Sequence, residues 1–197
     1  MKIKARNNKK YMEKTSDLLR TAWDLVQLLD KGADECLPNE IVDIVKLHAK
    51  LAVGSAWIPV PGADVAAGAV NIWSMYIRIN SKVDMSFGES ILKTIASGVA
   101  TNLASYAAMM GVGSLIKLVP GIGTWTGALV MSATLYAITL ASGYVYLKAL
   151  TILLRQKKSK SITSKDLKDA IDVFLTNNKN EIKRFIKSAK DSYKENK

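Results

Sequence analysis

TIASGVATNLASYAAMMGVGSLI, residues 94–116, and LVPGIGTWTGALVMSATLYAITLASGYVYL, residues 118–147, are separated by Lys117 and carry no charge of their own. Runs of twenty-three and thirty uncharged residues are far too long for strands, and the alternation that a half-buried strand needs is missing. Both read as helix. Pro120-Gly121-Ile122-Gly123 cannot continue a helix and reads as a turn. The spacing therefore predicts a hydrophobic helical hairpin with arms 94–116 and 124–147 and a polar end at 117–123. A bilayer core about 30 Å thick takes about 20 apolar helical residues, which each arm supplies. In that setting Tyr144, Tyr146 and Lys148 would lie near one interface and Trp125 near the other.

The charge distribution frames this hairpin. The net charge of +11 divides as +2 over residues 1–50, +1 over 51–147 and +8 over 148–197. A water-soluble bundle ordinarily gives every helix a charged face. Three regions follow: amphipathic N-terminal helices at 1–50, an apolar Gly/Ala-rich core at 51–154, and a basic helical hairpin at 155–197. In the first, Leu18, Leu19, Ala22, Trp23, Val26 and Leu29 recur at helical spacing over residues 11–30. A second helix starts after Pro38 and carries Ile41, Val42 and Val45 on one side. In the third, one helix begins near Thr163 and presents Leu167, Ala170, Ile171, Phe174 and Leu175. Another follows Asn177-Asn178 with Ile182, Phe185, Ile186, Ala189 and Tyr193.

A second Pro-Gly turn, Pro61-Gly62, lies in the core, with Asp64 placed to cap the helix after it. Shifting the chain by 59 residues superimposes 53–79 on 112–138 with nine identities and no gap. Val-Gly-Ser, Val-Pro-Gly and Gly-Ala all coincide. The predicted architecture is thus all-α, a helical bundle with a central hydrophobic hairpin and an internal repeat of two Val-Pro-Gly hairpins. Pro61, Gly62, Pro120 and Gly121 form the turns. Gly68 and Gly127 face neighbouring helices, because neither turn accounts for a glycine six residues later. Thirteen uncharged residues per arm, about 20 Å of helix, leave the first copy too short to span a bilayer as a hairpin.

The phrase Ile58-Pro59-Val60-Pro61-Gly62-Ala63-Asp64, followed by Leu118-Val119-Pro120-Gly121-Ile122-Gly123, resembles the GTPase-associated helical domain family of bacteria. The likeness covers roughly residues 45–150. It implies a membrane-associated helical module, of bacterial inner-membrane type, that serves a GTPase partner. No G-x-x-x-x-G-K-[ST] occurs in the chain, so the GTPase would act in trans.

Composition argues against chemistry. His48 is the only histidine and Cys36 the only cysteine, so a metal site, a Ser/His triad and an internal disulfide all lack parts. No catalytic, cofactor or metal residue is assigned, and His48 is expected to pack or cap near its helix end. Arg155, Lys157, Lys158 and Lys160 follow the apolar region directly, as a cluster meeting anionic headgroups would. The basic tail lacks interleaved aromatics, which disfavours nucleic acid as partner. The expected function is a non-enzymatic, membrane-associated helical protein with both termini cytoplasmic and lipid as its partner; a homo-oligomer is left open. The rivals are a pore-forming toxin or effector, soluble until it inserts its hairpin, and a soluble helical adaptor.

Overall fold

A computed structural model describes residues 40–55, 63–110, 125–156 and 161–195. They form six helices: α1 (Glu40–Ser55), α2 (Ala63–Lys82), α3 (Glu89–Met109), α4 (Trp125–Gln156), α5 (Ser164–Asn177) and α6 (Lys179–Glu195). No strand occurs among the described residues. The all-helical expectation is met. The predicted helix at 11–30, both Pro-Gly turns and Lys157, Lys158 and Lys160 lie outside the described residues, as do residues 112–124 of the second copy, so the internal repeat is not established.

Two helix boundaries have a clear local cause. Thr163 caps α5 with a reciprocal box: its hydroxyl accepts from the Asp166 N–H at 3.2 Å, and its own N–H donates to the Asp166 carboxylate at 2.8 Å. At the end of α2, Asp84 takes φ 52°, the left-handed region, and Met85 N–H then reaches back to Asn80 O at 3.0 Å. That is a Schellman closure with aspartate where glycine is usual, and Met85 is buried beside it.

α4 is the axis of the bundle, and every other helix packs on it. Residues 132–147 are buried without interruption, as a helix apolar on all sides must be. Leu140, Tyr144, Leu147 and Leu150 are at most 1% exposed. A fully buried Leu contributes roughly 1.5–3 kcal/mol. α1 runs antiparallel to α4: Val45 sits against Gly143, and Ser132 Oγ donates to Val53 O at 3.5 Å. α5 and α6 turn Leu167, Ile171, Phe174, Ile182, Phe185, Ile186, Ala189 and Tyr193 inward, as their spacing predicts, and most of their lysines outward; Lys190 of α6 is buried.

The predicted central hairpin is corrected to one central helix. Its first arm, within α3, is amphipathic. Leu92, Ile95, Ala96, Val99, Leu103, Tyr106 and Ala107 are buried, while Thr94, Ser97, Gly98, Thr101, Asn102, Ala104, Ser105 and Ala108 face solvent. That outer face is uncharged yet polar. The side chains of Thr94, Thr101, Asn102 and Ser105 each donate to the carbonyl four residues earlier, at 2.9–3.0 Å. The second arm is longer than expected, continuing through Lys148 to Gln156. Lys148 does not end the helix because its ammonium lies 5.9 Å from the centre of the Tyr144 ring and its residue is only half-buried.

Candidate functional site

One described helix is long and apolar enough to cross a membrane: Leu129–Gln156, 28 residues. At 1.5 Å per residue it is about 42 Å long, more than a bilayer core. The other helices nevertheless enclose 83% of its most apolar window. The site is therefore an enclosed apolar helix, and what matters is how it is held.

Hydrogen bonds and ring contacts line its sides. Tyr76 on α2 and Tyr146 on α4 stack with centroids 3.8 Å apart and ring planes 14° apart. The Tyr76 hydroxyl shares a 2.6 Å hydrogen bond with Ser142 Oγ, and the Tyr146 hydroxyl donates to Asn80 Oδ1 at 2.9 Å. All four residues are buried. The two rings cross so that each hydroxyl meets a partner on the opposite helix, which fixes the register of α2 on α4. On the other side, the Tyr144 hydroxyl donates to Glu181 of α6, and its ring meets Phe185 at 5.4 Å and Phe174 edge-on at 5.7 Å. The placement of Tyr144 and Tyr146 at an interface is thus corrected. Both are 0% exposed, because their hydroxyls find partners inside.

α1 and α2 are joined by a second polar contact. Asn71 Nδ2 donates to His48 O at 2.8 Å, which turns Asn71 Oδ1 toward His48 Nδ1 at 2.9 Å. Nδ1 therefore carries the proton, and Nε2 is an acceptor with no hydrogen-bond partner. His48 is 2% exposed, so it packs, as expected. Burial, and secondarily the Arg78 guanidinium, lower its pKa below 6.5. The unfolded chain then takes up the proton first as pH falls, so His48 favours the fold above pH 6.5 and loses that contribution between 6.5 and its lower folded value. Urea unfolding should show stability falling from pH 7.5 to 5.5, by at most about 1.4 kcal/mol per pH unit from this group. His48→Gln should flatten the slope in that window; an unchanged slope would assign it to other groups.

The remaining predicted sites are dispersed. Arg155 is exposed in the last turn of α4. Gly68 is buried on α2, where an added Cβ would meet Leu135 Cδ2 of α4 at an ordinary 3.7 Å. The side-chain environment of Gly127 lies outside the described residues. The tight glycine is one that sequence reading passed over. A Cβ at Gly143 would stand 2.5 and 2.8 Å from the two Val45 methyls. Its only sequence signal is its place in the densest apolar run. Among the described residues, no three His, Cys, Asp or Glu side chains gather as a metal site would require.

The chain is 30% identical over 107 residues to magnetosome membrane protein 22 of Magnetospirillum gryphiswaldense. The match takes in 54% of this chain and 55% of that protein, so the chain spans about half the length of the curated relative it matches. No family model matches the chain, and the likeness to the GTPase-associated family therefore rests on its two turn phrases alone. No solved structure matches it.

Proposed function

We propose that this chain is a bacterial membrane-associated helical protein without catalytic activity, with α4 as its membrane element. The observation that carries the reading is α4 itself: a 28-residue apolar helix in a chain related to a protein named for a membrane. Inner-membrane location with both termini cytoplasmic is the finer form, supported by positive charge at the two chain ends. Fractionating cells tests the core reading. Membrane association places the chain in the membrane pellet. Complete recovery in the soluble fraction would sink it and favour the adaptor.

One observation favours a second reading. α4 is wrapped by α1, α5 and α6, whose outer faces are wet. Such a bundle can stay in water until it opens, as an inserting effector does. Dye release from liposomes by detergent-free protein separates this from a resident protein. A GTPase acting in trans is a further refinement supported by the Ile58–Asp64 and Leu118–Gly123 phrases. Co-purification with a GTPase from the native membrane would test it.

Arg155, Lys157, Lys158 and Lys160 should strengthen attachment wherever the lipid is anionic, by roughly 1 kcal/mol per charge at low salt. Changing all four to Gln should weaken sedimentation with anionic vesicles and leave neutral vesicles unaffected. Equal loss on both would point to damaged folding.

A further inference from the structure

α4 is covered almost everywhere, and the exception is local. Ile152 is 40% exposed, the sole large apolar side chain of α4 so exposed among the described residues. On α5, Val173 is 59% exposed. Both line one open groove of about 450 Å³, whose wall includes the buried Leu153 and Phe174.

The two edges of this groove carry opposite charge. Asp166 and Asp169 line it from α5. At about 100° per residue, Gln156 and Leu153 turn from Ile152 toward α5, while Lys148 and Arg155 turn the other way by roughly 40–60° and form the α4 edge. Asp166 is engaged in the Thr163 cap, and Lys148 leans on the Tyr144 ring. Asp169 and Arg155 are exposed, and neither forms an ion pair among the described residues. The other charges of α5 lie further round the helix: Lys165 beyond Asp169, and Asp172 paired with Lys168 at 3.1 Å.

Such a face is its own complement. A partner of one charge sign would match one edge and oppose the other. A second copy matches both. With a two-fold axis along the groove, α4 of each copy lies over α5 of the other, so Ile152 meets Val173 and Arg155 meets Asp169, each contact made twice. The patch measures roughly 20 Å by 20 Å, two helix widths by the length of α5. It would bury about 800 Å² in all, short of the roughly 1,200 Å² of a stable complex, so the dimer is weak and concentration-dependent.

We infer that a second copy of this chain covers the α4–α5 groove, in a two-fold dimer centred on Ile152 and Val173 with Arg155 of each copy on Asp169 of the other. Cross-linking in overexpressing cells tests this, whether the chain is soluble or bound to membrane. Two tagged forms of the full chain, both Cys36→Ser, are co-expressed, one with Ile152→Cys and the other with Val173→Cys. A short bismaleimide should join them several-fold more than it joins two forms carrying Lys187→Cys on the exposed side of α6. Asp169→Arg in both forms should cut the yield roughly tenfold, by turning two attractions into repulsions. Arg155→Asp should do the same. The two together should restore the yield, because acid and base have then exchanged edges, and that restoration excludes misfolding as the cause of either loss. No product above the Lys187→Cys background would overturn the proposal. So would a product indifferent to both charge reversals, a loss that the double exchange does not restore, or a product of another mass, which would make a different protein the occupant.

Discussion

Replacing Gly143 with alanine should destabilise the bundle by about 1–3 kcal/mol, and replacing it with leucine by more. The added Cβ would lie 2.5 and 2.8 Å from Val45 Cγ1 and Cγ2 and 3.2 Å from Val45 Cβ. Val45 cannot yield. It is 0% exposed, and a β-branched side chain in a helix has essentially one χ1 rotamer available. Relief must come from separating α1 from α4, which loosens the packing along both. For a chain of this size each kcal/mol corresponds to about 2–4 °C in Tm. Val45→Ala should partly rescue Gly143→Ala, a coupling that a double-mutant cycle reads directly. Strictly additive losses would mean that the two helices are not pressed together here. Gly68→Ala and Gly88→Ala are the controls, since their added methyls would meet neighbours at ordinary distances of 3.7 and 3.8 Å.

Tyr146→Ala should cost about 3–5 kcal/mol, the range for truncating a large buried aromatic. The residue stacks on Tyr76 and holds Asn80. Asn80 Nδ2 is already buried without a hydrogen-bond partner, so losing Tyr146 would leave the carboxamide unsatisfied at both ends. Tyr146→Phe separates the contributions. It keeps the ring and strands the Asn80 oxygen, at about 1–3 kcal/mol. Tyr146→Phe as damaging as Tyr146→Ala would assign the whole effect to the hydrogen bond. Chemical denaturation followed by circular dichroism reads both, with a lowered midpoint expected in each case.

Helix type and the apolar faces of α5 and α6 were legible because lysines and carboxylates there alternate with Leu, Ile and Phe at helical spacing. The same test failed on α3 because its outer face is marked by Thr, Ser, Asn, Gly and Ala, so absence of charge was mistaken for absence of a wet face. Lys148 looked like a boundary, yet its long apolar stem lets α4 run on to Gln156. Tyr144 and Tyr146 look like interface anchors in one dimension. Their partners, Glu181 and Asn80, come from helices whose positions only the fold reveals. Gly143 was hidden for a similar reason: its neighbour Val45 is ninety-eight residues away, and no local pattern separates it from the other glycines.

The back-bonded side chains on α3 mean that this face carries its own solvation. A hydroxyl that donates to its own helix's backbone has its one donor satisfied whatever lies outside. Of the two donors on the Asn102 amide, one is likewise used. Transferring such a surface from water to a less polar neighbour strands few donors, so the usual penalty for burying hydroxyls is reduced at each of these positions. α3 is consequently a helix whose intrinsic stability depends weakly on the polarity of its surroundings, while α5 and α6, faced with ammonium and carboxylate groups, are tied to water.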